Sequence, residues 1–184
     1  MAVLPEKLQP EQIAQVLAGL PGDRIGLRDR AVVLACYAGG LQLAEVAGSR
    51  LGDLDFAAAL WRVGARTIPL DAPFYRALSN YVRLARPALL GKCRWDTLFL
   101  SQRGSPLSTR ALQERLGHYG LSPQLLRNSY IAHLLAGGAD AQIVQVLVGH
   151  RSAAAALNHR PLAPQGLRRI CELAHPRAPS QSDR

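Results

Sequence analysis

The chain has 184 residues, 48% hydrophobic and 19% charged, which excludes a disordered chain and suits one domain with a substantial core. Arg and Lys total 22 against 13 Asp and Glu, for a net charge of +9. That excess favours a polyanionic partner, nucleic acid first and an anionic membrane surface second, over a surface that is basic only for solubility.

In chain order, a first helix is predicted from Pro10 through "EQIAQVLAGL", stopped by Pro21 and Gly22. "LRDRAVVLACYAGG" is apolar around most of its circumference, which predicts a central core helix ending at Gly39 and Gly40. "LQLAEVAG" predicts a short helix ended by Gly48. "ALWRV" and "RTIPL" flank Gly64 and Ala65 as a β-hairpin. "APFYRALSNYVRLAR" sets Phe74, Leu78, Tyr81 and Ala85 at helical spacing, a core stripe. "DTLFLS" predicts a third strand before the turn "RGSP". Ser108 is a cap for "TRALQERLGHY", and Ser122 followed by Pro123 is a strong helix start. That helix runs to Leu135 and breaks at "GGAD", where Asp140 caps "AQIVQVLV" before Gly149. Two helices, "SAAAALNH" and "PQGLRRICELA", follow, and the tail "HPRAPSQSDR" is predicted disordered. The expected fold class is mostly α with a small antiparallel β-sheet: one domain over residues 1–175 and a disordered basic tail over 176–184.

Cys36, Cys93 and Cys171 form no CxxC and are odd in number, which argues against a disulfide framework. No histidine stands at ligand spacing from a cysteine or from another histidine, so no metal and no cofactor are expected. The N-terminus "MAVLPEKLQPEQ" lacks a signal pattern and no run of 18 apolar residues occurs. A reduced, soluble, cytoplasmic protein with no membrane partner is the expectation.

Helix, glycine-containing turn and helix over residues 123–149 are the outline of a helix-turn-helix. Its second helix, however, would offer base edges only Gln142 and Gln145. A different likeness covers far more of the chain. "LSPQLLRNSYIAHLLAGGADAQIVQVLVGHRS" resembles the carboxy-terminal signature of the tyrosine recombinases, the family of phage integrases and Xer-type resolvases. "LRDRAVVLACYAGGLQLAEVAGSRLGDLDF" resembles that family's segment around its first catalytic arginine, and "RTIPL" the strand leaving its β-hairpin. "LPEKLQPEQIAQVL" resembles the start of its catalytic domain, so the likeness spans residues 4 to 175.

In that family a tyrosine hydroxyl attacks a DNA phosphodiester and forms a covalent 3′-phosphotyrosine. Two arginines grip the non-bridging oxygens as charge builds on them, histidines orient and accept protons, and a hairpin lysine protonates the leaving oxygen. Carried over by the resemblance, the first arginine falls at Gln42, while the acid three residues on is kept as Glu45. The lysine has no counterpart on a hairpin tip of Gly64 and Ala65. The first histidine falls at Gln124, the second arginine is Arg127, and the later histidine is His150. The nucleophile position falls at His159, and no tyrosine follows Tyr130. Losing one transition-state donor costs about a hundred- to a thousandfold, and losing the nucleophile removes the covalent route.

The resemblance therefore implies a catalytically inactive DNA-binding protein, an accessory or regulatory factor in transcription, recombination or partition, located at the nucleoid. Its expected DNA contacts are Arg66, Arg103, Arg110, Arg127, His150, Arg151 and Arg160. Arg127 is either a surface side chain or part of a phosphate-facing pocket, and His150 either meets helix-end carbonyls or a phosphate. Tyr130 is expected in the core, and Glu45 in a structural hydrogen bond or ion pair. The partner is duplex DNA, together with a second copy of the chain, an active recombinase or another DNA-bound protein. The alternative is an interaction module that joins such a recombinase with little DNA contact of its own. Residual nuclease or strand-transfer activity is a third reading. Family members carry a separate helical domain ahead of the catalytic one; this chain starts at its own methionine where the second domain would start, so weaker DNA affinity, or dependence on oligomerisation or a partner, is expected.

Overall fold

The Asp23 carboxylate accepts the amides of Ile25 at 3.0 Å and Gly26 at 2.8 Å, and this cap starts the helix around which the fold is assembled. The structure, a computed structural model, describes residues 7–149. That helix, α2 (Arg24–Tyr37), buries every residue from 31 to 37, as its all-round apolar sequence predicts. It follows α1 (Pro10–Gly19) and leads into α3 (Leu43–Gly48) and a 3-10 turn at Leu51–Asp53. The sheet follows, then α4 (Ala72–Asn80), a single π-helical turn (Tyr81–Ala85) and α5 (Arg86–Leu90). The described chain ends with α6 (Thr109–His118), α7 (Pro123–Ala136) and α8 (Ala141–Leu147). Ser108, Ser122 and Asp140 cap the last three helices as expected. Among the described residues no helix is long and apolar enough to cross a membrane. The helices expected after Gly149, and the tail, lie outside the described residues.

The sheet is antiparallel with three strands in sequence order, β1 (Leu54–Asp55), β2 (Leu60–Val63) and β3 (Arg66–Pro69). Val63 pairs with Arg66 and Trp61 with Ile68, so the hairpin turns at Gly64 and Ala65. Trp61 and Ile68 are both buried and fix which face meets the core.

Two expectations need correction. "DTLFLS" is not the third strand; β1 is, and residues 97–100 form only isolated bridges, Arg50 with Thr97 and Leu100 with Pro106. Leu98, Phe99 and Leu100 are fully buried, and side chains replace a strand partner. Leu98 O accepts the Tyr81 hydroxyl at 2.9 Å and Arg86 Nε at 3.1 Å, while Leu100 N donates to the Tyr81 hydroxyl at 3.1 Å. The helix expected through "APFYRALSNYVRLAR" is likewise interrupted by the π turn. Pro87 has no amide for the carbonyl four residues back, and the chain takes the wider turn just before it. Tyr81, Ala85 and Arg86 all end on the buried side.

A buried ion cluster ties α2 to α6. Arg28 donates to Asp29 Oδ1 through Nε at 2.8 Å and Nη2 at 2.7 Å, and to Leu100 O at 3.1 Å. Arg115 Nε at 3.0 Å and the Tyr119 hydroxyl at 2.7 Å donate to Asp29 Oδ2. Both oxygens are filled, which is what makes a carboxylate tolerable at this depth.

Candidate nucleic-acid interface

The candidate site forms where the end of α2, the start of α3, β3, α7 and the end of α8 meet. Gly40, just past α2, has φ +60, and a Cβ there would lie 2.7 Å from the Tyr130 ring and 3.2 Å from Val148 Cγ1. Only glycine lets this backbone lie against α7 and α8. Its carbonyl accepts Arg127 Nη1, and Arg127 Nη2 donates to Val148 O at 2.5 Å. Arg127 is 8% exposed. Burial, then the neighbouring Arg66 charge, lowers its pKa, against an opposing pull from Glu45; a guanidinium stays protonated regardless.

Arg66 enters from β3. Its Nη2 donates to Glu45 Oε1 at 2.5 Å and its Nη1 to Leu147 O at 2.6 Å, with the side chain 12% exposed. Gly149 has φ +72, and a Cβ there would fall 2.9 Å from Arg66 Nη1. The glycine lets the chain leaving α8 run directly over this guanidinium. Two arginines thus hold the consecutive carbonyls of Leu147 and Val148, at the negative end of the α8 dipole. Among the described residues, two guanidinium charges face one carboxylate, which leaves one positive charge uncompensated.

The pocket brings together Arg127, Arg66 and Glu45, and leaves two expected positions at its rim. Gln42 is exposed and precedes α3, its amide donating to Glu45 Oε2 at 2.7 Å. Gln124 is exposed on the first turn of α7 and donates to Asn128 Oδ1 at 2.7 Å. Arg103 is exposed in the turn 101–105, and Arg110 is exposed on α6 with Nε 2.9 Å from Glu114 Oε1. His150, Arg151, His159 and Arg160 lie outside the described residues. Arg127 is not a surface side chain: it is buried and donates to the Gly40 and Val148 carbonyls. Arg66, an expected DNA contact, hydrogen-bonds Glu45 and Leu147 O, because its strand points it under the end of α8. Tyr130 is buried against Gly40 and Glu45 forms an ion pair, as expected. Cys36 lies beneath the pocket, its thiol pushed up to about 12 by burial, so it is packing and not a nucleophile. The tie between Arg66 and Glu45 spans 21 residues, and nothing local in the sequence signals it.

The profile of the phage integrase family matches residues 6–159. The tyrosine recombinase XerD of Corynebacterium glutamicum is 34% identical, over 95% of this chain and 63% of its own length. The chain thus spans a little under two thirds of this curated relative. Among solved structures, the integrase from mycobacterium phage Brujita superposes with a TM-score of 0.71 at 19% identity, over 96% of this chain and 60% of that one. The Tn1549 transposon integrase, solved in complex with circular intermediate DNA, gives 0.68 at 20% identity, over 89% of this chain and 63% of that one. The two structures share the fold, and the profile match over most of the sequence together with the 34% identical relative shows the family: this chain belongs to the phage integrase family.

Proposed function

We propose that this chain binds duplex DNA without cleaving it, as an accessory or regulatory factor of the nucleoid built on a recombinase scaffold. The observation that carries the reading is the state of the arginine pocket. Among the described residues, the hydrogen bonds of Arg127 go to the Gly40 and Val148 carbonyls, and those of Arg66 to Glu45 and Leu147 O. The position that the resemblance assigns to the first arginine holds Gln42, whose backbone is taken up in starting α3. Catalysis of this kind depends on guanidinium groups aimed at oxygens whose charge develops in the transition state. Groups committed to backbone carbonyls and a carboxylate are preorganised for the fold instead.

Binding itself is supported by the net charge of +9, by exposed Arg103 and Arg110, and by the family fold, which in the Tn1549 integrase holds DNA. Duplex affinity measured by fluorescence anisotropy from low to moderate salt tests it. The log of the affinity is expected to fall steeply and linearly with the log of salt as counterions are released. Affinity that is absent at low salt, or insensitive to salt, would favour the interaction-module reading.

A further inference from the structure

From the loop 91–96 and the turn beside it, we infer a second nucleic-acid site: a platform for an unpaired DNA strand, centred on Trp95. Residues 72–113 hold seven arginines and lysines and one acidic residue, Asp96. Of these, Lys92, Arg94 and Arg103 are exposed in the loop 91–96 or the turn 101–105. Asp96 is itself neutralised by Arg50, 3.0 Å away.

The same loop carries an exposed aromatic ring. Of the two tryptophans, Trp61 is fully buried, whereas Trp95 is 48% exposed. Its exposure is not that of a loose loop. Buried Arg86 donates from Nη2 to the carbonyls of Trp95 and Thr97, each at 2.7 Å, and Cys93 N donates to Leu90 O at 3.0 Å. The turn 101–105 packs against the same loop so closely that a Cβ on Gly104 would lie 2.8 Å from Leu89 O and 3.8 Å from Cys93 Sγ. Lys92, Arg94 and Arg103, all exposed, thus lie on the loop that carries Trp95 or on the turn packed against it. Arg83 and Leu84, the latter 66% exposed, lie on the π turn that leads into Arg86.

An anchored backbone presenting a solvent-facing indole among cations is arranged for stacking and phosphate contact together. Bases in a duplex are stacked on one another and offer no free face to the indole; an unpaired strand offers one at every nucleotide. A duplex would use the cations and leave the ring idle. The platform stands on residues outside the arginine pocket and does not depend on how that pocket is read.

The test is anisotropy of a labelled oligo-dT of about ten nucleotides, beside a labelled duplex, with the full chain and its variants. Trp95→Ala is expected to weaken oligo-dT binding by roughly five- to a hundredfold, with duplex binding unchanged and Trp95→Phe restoring most of the loss. Lys92→Glu with Arg94→Glu is expected to abolish oligo-dT binding at moderate salt. Because Trp61 is buried, acrylamide quenching reports Trp95, which should be quenched freely in the absence of DNA and protected by oligo-dT. Three results overturn the inference: oligo-dT binding unaltered in Trp95→Ala, oligo-dT and duplex weakened equally, or a Trp95 already shielded without DNA in a protein of dimeric mass.

Discussion

Two arginine clusters lie along α2, one toward its start and one just past its end, and each sets two guanidinium groups against one carboxylate. At Asp29 both carboxylate oxygens are filled, by Arg28, Arg115 and the Tyr119 hydroxyl. At Glu45 one oxygen takes Arg66 and the other the Gln42 amide, and Arg127 is left to backbone carbonyls. In the first cluster both guanidinium groups touch the carboxylate itself. Among the described residues, the second keeps a cation whose hydrogen bonds go to neutral acceptors, and an anion competes well against those. An arginine's burial alone thus does not separate a structural role from a candidate binding role; the charge of what it touches does.

The sharpest way to break this contrast is to remove each cluster's centre. Asp29→Ala leaves Arg28, 3% exposed, buried without a counter-charge, and is expected to cost about 3–5 kcal/mol of folding stability in urea titrations. Arg127→Ala orphans the Gly40 and Val148 carbonyls and is expected to cost less, about 2–3 kcal/mol. Arg127→Ala should also weaken duplex binding where Asp29→Ala, at a temperature where it stays folded, does not. Equal effects on DNA would erase the distinction between the clusters.

Glu45→Gln is expected to move stability and DNA binding in opposite directions. Loss of the half-buried ion pair is expected to cost about 1 kcal/mol or less, while the extra positive charge in the pocket should tighten duplex binding severalfold at low salt. A variant that both destabilises and weakens would show that Glu45 serves DNA only through the fold. The smallest effect is expected at Arg110, fully exposed with an i,i+4 partner. Arg110→Ala should leave the melting temperature unchanged and reduce the salt slope of duplex binding by about one.

How much of this is legible in the sequence depends on distance along the chain. Ser108, Ser122 and Asp140 act on amides within three residues, so their helix starts can be read directly. The hairpin at Gly64 and Ala65 is legible for the same reason. Residues 97–100 misread as a sheet strand, since β-propensity is high there while the acceptors are met by Tyr81 and Arg86 from an earlier helix. The resemblance assigns Gln42 and Arg127 to family positions but says nothing of what they touch. Arg66 with Glu45, and Arg115 with Asp29 across 86 residues, become partners only when the fold is assembled. Trp95 carries no periodic signal at all; its meaning comes from the anchoring of its carbonyl by Arg86.

The proposed role is duplex binding without strand breakage. Incubating the protein with a nicked suicide duplex, followed by denaturing electrophoresis, tests that most directly. The predicted result is duplex binding in the native gel and no protein–DNA adduct in the denaturing one, for the wild-type chain and for His159→Tyr alike. A wild-type adduct that disappears in His159→Ala, or robust cleavage by His159→Tyr alone, would contradict it.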